Sequence, residues 1–451
     1  MSHGTYEEKA ADIEMAREAA QKLSRPLAVL VDLSGPKIRT GELAEGKPVH
    51  LEAGEKFTLT TQPIVGTSEA VSTNYPDLVR VVDVGARLLL DDGAIALVVE
   101  KAADTKVTCR VINGGTLGER KGINLPGVSL PIASLTEKDE VDLKWAVQQN
   151  ADYIALSFVR SANDCLRAKK LIAEAGGSAP LVAKIEKAEA IDHLDEIIDA
   201  ADAIMVARGD LGVETGVELV PVYQKRIIEK SILAGKMVIT ATQMLQSMVT
   251  NPRPTRAEAS DVANAVWDGT DCLMLSNETA TGQYPVSAVS TMARIIDSAE
   301  SGRGSDPDKV SRLSSKQSGR VSRALCEAAI FAAEELGARV TAVFTQSGLM
   351  ARRLSALRPP QRIVALTSSP EVQSELALIW GVESLLTTPA RSTEEMLRGG
   401  EEALLEAGVV TEGETIVVMA GRLSGLGLSS SVTLLNIGSA KLARTGSPGV
   451  K

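Results

Sequence analysis

Between residues 135 and 300 short apolar runs alternate with helix-length segments: YIALSF (153–158), LVAKIE (181–186), AIMVAR (203–208), MVITATQ (237–243) and CLMLS (272–276). Runs that are apolar throughout, rather than at every second residue, read as parallel strands covered on both faces, and parallel strands need crossover helices between them. LAVLVDL at 27–33 makes a sixth strand. Closure into a (β/α)8 barrel would need two further strands ahead of residue 1.

Several of these runs end in charge. Lys184 and Glu186 are two apart, so on a strand both point to one face, and Asp210 follows the next strand. Two carboxylates and an ammonium therefore converge where a barrel keeps its chemistry. Hard oxygen ligands suit Mg²⁺ or Mn²⁺, and a fixed lysine suits charge developing on a transferring phosphoryl group. The alternative is a buried ion pair with only a structural role. Other strand ends add Thr242 and Gln243, Ser276 and Glu278, and Asp32 with Lys37 and Arg39 on the turn SGPKIR.

The rest of the chain has different textures. Residues 5–23 predict an amphipathic helix capped by Thr5, with Glu8 completing a capping box. Residues 41–122 carry short alternating runs such as KFTLTT and KVTCRVI between Gly, Asp and Pro, the pattern of a small antiparallel domain. The Gly/Ser-rich 301–319 reads as a linker, and 320–451 as a second α/β unit with strands near 339–344, 362–366, 383–386 and 415–419. There FTQSG (344–348) leads into a helix, so Thr345, Ser347 and Gly348 are candidates for holding a phosphorylated effector.

A net charge of −10 argues against nucleic acid or an anionic membrane surface as partner. The four cysteines lack CxxC spacing, and the chain shows no signal-peptide pattern and no apolar run of about 18 residues, so a reduced cytoplasmic setting is expected. Three histidines, His3, His50 and His193, leave little room for histidine-centred catalysis.

APLVAKIEKAEAI, IMVARGDLGVE, VITATQML, NPRPTRAEASDVANAVWDGTD and KGINLPGVSLPIASLTEKD are similar to motifs of the pyruvate kinase family, in order and over nearly the whole chain. The resemblance implies an α/β protein: a (β/α)8 TIM-barrel catalytic domain at 1–40 and 123–300, its first two strands largely missing here, an inserted β-barrel lid at 41–122 and a C-terminal α/β regulatory domain at 320–451. It implies transfer of the phosphoryl group of phosphoenolpyruvate to ADP, giving pyruvate and ATP, with Mg²⁺ or Mn²⁺, in a homotetramer. By the same resemblance Lys184 stabilises the phosphoryl group in flight, and Glu186 and Asp210 ligate the divalent metal. Gly209, Asp210 and Thr242 hold the substrate carboxylate, with Thr242 and water also the proton route. Ser276 and Glu278 join a polar relay, His3, Arg39 and Lys121 contact the nucleotide, and Ser2 and Asp32 mark the monovalent-cation position.

The chain departs from the family in two places. The family's first strand and most of its second would precede Met1, which we read as a start assigned too far downstream. Leu33 and Lys37 stand where many members have a threonine cation ligand and a glutamate. The K⁺-independent branch has the same Leu and Lys, so Lys37 is expected to replace K⁺. Asn277 and Pro131 also depart, with no consequence that the sequence explains. The competing expectations are a regulatory binding protein on the same scaffold and an aldolase-like lyase. Intact Lys184, Glu186, Asp210 and Thr242 disfavour the first, and the lid with Arg39 and Lys121 disfavours the second.

Overall fold

The computed structural model describes residues 1, 4–128, 130–302, 320–420 and 431–438. Ser2, His3 and nearly all of the expected linker lie outside the described residues.

Six parallel strands form one sheet in sequence order: Leu30–Asp32, Tyr153–Leu156, Leu181–Ile185, Ala203–Ala207, Met237–Ala241 and Cys272–Met274. This is the arc of the barrel that the sequence predicts. The central strands are fully buried, as the unbroken apolar runs require, whereas Cys272–Met274 at one edge is only half-buried. Side chains separate by period two. Leu181, Ala183, Ile185, Ile204 and Val206 pack outward against the crossover helices. Val182, Ala203, Met205 and Ile239 face inward and share a cluster with Cys326, Ala329 and Leu354 of the C-terminal unit. Lys184 and Glu186 continue the inward row of Val182, so the polar site begins where that apolar filling ends.

Each strand is shorter than its apolar run. LAVLVDL is paired only over Leu30–Asp32, and AIMVAR ends at Ala207 because Arg208 opens the helix Arg208–Thr215. The first helix spans Tyr6–Lys22 with the expected capping box between Thr5 and Glu8, but none of its residues is fully buried.

The β-rich excursion folds around Phe57, Leu59, Leu88, Leu97 and Val107, all fully buried, on a six-stranded sheet that runs on to Asn124. Two chain crossings join it to the barrel and pair with each other. Ile123 N–H donates to the Ile38 carbonyl at 2.8 Å, and Thr40 N–H to that of Lys121 at 2.8 Å. The C-terminal unit is a five-stranded sheet, parallel except for its edge strand Ser431–Asn436. It docks under the barrel, where the Tyr153 hydroxyl donates to the Glu375 carbonyl at 2.8 Å and Arg358 pairs with Asp271 at 3.0 Å.

Candidate active site

The Lys184 ammonium lies 3.0 Å from carboxylate oxygens of both Asp32 and Glu186, and donates to Ser157 Oγ at 2.9 Å. Burial disfavours that ammonium, but the Glu186 and Asp32 carboxylates outweigh the penalty and hold its pKa above the usual lysine value. Glu186, 1% exposed, accepts the Phe158 N–H at 2.7 Å. Its burial, reinforced by Asp210 and Asp32, holds its pKa above the usual carboxylate range despite Lys184. Lys184 thus pairs with two carboxylates, Asp32 and Glu186, while a third, Asp210, raises the pKa of Glu186 from nearby, leaving Glu186 short of positive charge.

That deficit fits a divalent cation. Among the described residues no group of three His, Cys, Asp or Glu side chains is arranged to hold a metal alone. Two carboxylates with the remaining positions open is the arrangement by which Mg²⁺ is shared with a substrate phosphate.

Gly209 N–H donates to Thr242 Oγ1 at 2.7 Å, and that hydroxyl donates to the Ala241 carbonyl at 2.6 Å. Thr242 and Gln243 hold left-handed backbone angles, φ 72° and 54°, a strain of about 1–2 kcal/mol per residue that something nearby must hold. The expected relay residues follow the next strand, Ser276 capping and Glu278 lying within the short helix Asn277–Ala280. Both oxygens of the fully buried Glu278 accept backbone N–H groups, from Leu245 at 3.0 Å and Ser276 at 2.8 Å, so the carboxylate holds the turn in shape.

Beside these groups a cleft of about 300 Å³ separates barrel and lid, lined by Lys37, Arg39, Lys121, Asp92 and Asp210. Lys184, Glu186 and Thr242 are not in its lining, so the cleft lies beside them and meets them at Asp210. Arg39 donates to the Arg120 carbonyl at 3.1 Å, and Lys121 pairs with Asp91 at 2.9 Å. The turn carrying Lys37 is fixed from below by the fully buried Asp139, which accepts Gly35 N–H at 3.0 Å. Among the described residues the ion-pair partner of Asp32 is Lys184, not Lys37.

Sequence reasoning missed Ser157, the Phe158 peptide, Asp139 and Asp92. Asp92 sits on a left-handed Asp-Asp-Gly turn of the lid, where burial and then Asp210 raise its pKa; that turn pattern was a usable signal. In the C-terminal unit Thr345 is buried and its hydroxyl accepts Gly348 N–H at 2.9 Å, while Ser347 is exposed. One N–H that an anion would use is therefore already engaged.

Comparison with known proteins agrees with this geometry. Residues 1–289 match the family model described as pyruvate kinase, barrel domain, and residues 323–433 that described as pyruvate kinase, alpha/beta domain. The chain is 43% identical to a pyruvate kinase of Clostridium acetobutylicum over 93% of its own length and 89% of the relative's. It is 43% identical to one of Mycobacterium tuberculosis, over 94% and 89% respectively. A crystal structure of a pyruvate kinase from Cryptosporidium parvum superposes with a TM-score of 0.88 at 35% identity, covering 97% of this chain and 89% of that one. With both domain models matched in order, and Lys184, Glu186 and Asp210 gathered at strand ends, the chain belongs to the pyruvate kinase family.

Proposed function

We propose that this chain transfers the phosphoryl group of phosphoenolpyruvate to ADP, giving pyruvate and ATP. The observation that carries the proposal is Lys184, a buried ammonium held between Asp32, Ser157 and Glu186 beside Asp210. The bond from the enol oxygen to phosphorus breaks as a β-phosphate oxygen of ADP takes the phosphorus, and Lys184 neutralises the charge on the phosphoryl group between them. Arg39 and Lys121 at the lid cleft hold the nucleotide phosphates. Gly209 N–H sets the Thr242 hydroxyl beside the substrate carboxylate, and that hydroxyl with water delivers a proton to the methylene carbon of the enolate. Glu186 and Asp210 would hold Mg²⁺ or Mn²⁺, which supplies positive charge to the phosphoryl and enolate oxygens. Cytoplasmic residence is supported by cysteines without CxxC spacing, a homotetramer by family likeness, and a phosphorylated effector at Thr345, Ser347 and Gly348 by the turn that leads into the helix Leu349–Ala356. The test is pyruvate release from phosphoenolpyruvate by the purified chain: it should require ADP, and release without ADP, the phosphoryl group passing to water, would point to a phosphatase instead.

Glu186→Gln should weaken Mn²⁺ binding, read by electron paramagnetic resonance titration, by about 10- to 100-fold, because affinity for a hard cation follows the number of charged oxygens. Unchanged binding would place the metal elsewhere.

Activity should not need K⁺. The Leu33 side chain is buried in the outer apolar cluster and offers no oxygen, and Lys37 supplies a positive charge on the following turn. Assays in tetramethylammonium buffer should change less than about twofold on adding KCl, since a cation beside that ammonium would be repelled by about 4 kcal/mol at 4 Å. Tenfold activation would sink the idea.

A further inference from the structure

The strained peptide at Thr242 and Gln243 is gripped by one side chain. Arg208 is buried, 8% exposed, at the start of the helix that carries Gly209 and Asp210. Its Nε and Nη2 donate to the Thr242 carbonyl at 3.2 and 2.8 Å, and Nη2 also donates to the Gln243 carbonyl at 3.2 Å. Its remaining nitrogen, Nη1, donates to Asp261 at 2.8 Å and to Gln224 Oε1 at 3.4 Å.

We infer that Arg208 is a positioning residue for proton delivery: it keeps Thr242 in the left-handed conformation in which Gly209 N–H holds its hydroxyl. The inference rests on the role given to Thr242 under the proposed function. The chemistry asks for arginine, because only a planar fork with donors on three nitrogens reaches two successive carbonyls and a carboxylate at once. A lysine point charge meets one of them at a time. The grip is two-sided, since the Arg208 side chain holds the Thr242 carbonyl while the next peptide, Gly209 N–H, holds its hydroxyl. Asp261 keeps the fork in plane from the solvent side. Asp210 lies one residue beyond Gly209, so the strained turn and the carboxylate that would hold the metal are fixed to the same helix start. Arg208 itself need touch no reacting atom.

The test is a double-mutant cycle on the full chain, reading solvent proton exchange into pyruvate, together with crystal structures of the variants. Arg208→Met should slow exchange by about 100-fold, with the KM for phosphoenolpyruvate changing less than about fivefold, because orientation and not uniform binding is lost. In a Thr242→Val background the same substitution should add less than about threefold, since residues that act through one another are non-additive. Guanidinium ion at millimolar concentration should restore part of the rate to Arg208→Ala, and the Arg208→Met structure should show Thr242 out of the left-handed region. Additive losses, absence of guanidinium rescue, or Thr242 retaining φ near 72° without the guanidinium would each overturn the inference. If Thr242→Val is slow and Arg208→Met is not, only the inference falls. If Thr242→Val exchanges protons at the parent rate, the role of Thr242 falls, and the inference with it. Should Arg208→Met not fold, Asp261→Asn takes its place, with a smaller loss expected and the same non-additivity required; its carboxylate is 38% exposed and can be solvated when changed.

Discussion

Lys184→Met is expected to lower phosphoryl transfer from phosphoenolpyruvate to ADP by at least about 10³-fold, the scale on which preorganised charge acts in transition states. Proton exchange between pyruvate and solvent should survive within about tenfold. The two readouts separate because, under the proposed function, the ammonium held by Asp32, Glu186 and Ser157 serves the phosphoryl group, whereas the hydroxyl of Thr242 is set by Gly209 on the next strand's helix start. Breaking a buried ion pair ordinarily costs about 3–5 kcal/mol, because the partner charge is stranded. Here burial already pushes the pKa of Glu186 upward, so the variant relieves part of that cost by taking up a proton at Glu186. Surviving proton exchange is the control that the site is still built. Equal losses in both assays would show that Lys184 acts on enolate and phosphoryl alike.

The second large effect belongs to Glu278. Its carboxylate is fully buried and spends both oxygens on the N–H groups of Leu245 and Ser276. Glu278→Ala leaves two backbone donors without acceptors, a loss of about 2–6 kcal/mol at 1–3 kcal/mol each, and frees the turn that begins at Thr242. Glu278→Gln keeps one acceptor oxygen and should lose about half as much. Denaturant unfolding measures both. A proton relay through Glu278 predicts something different, since an amide cannot pass the proton: Glu278→Gln would then be as slow in pyruvate proton exchange as Glu278→Ala while being much more stable. A strut predicts that rate and stability fall together.

How far the sequence was legible follows from the kind of contact involved. Lys184 and Glu186 were readable because a strand's two-residue period puts them on one face, and Asp210 because it closes the next buried run. The Thr5 capping box was readable because its partners are three residues apart. What escaped was non-local or carried by the backbone. Ser157 meets a lysine 27 positions away, and the Phe158 donor is a peptide N–H that no residue type announces. Arg208 looked like the last residue of a strand, yet its work is done on carbonyls 34 and 35 residues further along. Glu278 was readable as polar and at a strand end, but only tertiary packing decides whether a carboxylate there meets substrate or backbone. The run 27–33 was overlong for a similar reason, since pairing with one neighbour limits the strand to Leu30–Asp32.

The most direct measurement follows the phosphorus itself. In ³¹P nuclear magnetic resonance of phosphoenolpyruvate, ADP and Mg²⁺ with the purified chain, the phosphoenolpyruvate signal should be replaced one for one by the γ-phosphorus of ATP, and this conversion should be absent with Lys184→Met. Conversion to inorganic phosphate, or a Lys184→Met variant that makes ATP at the parent rate, would contradict a phosphoryl-transfer site built on these strand ends.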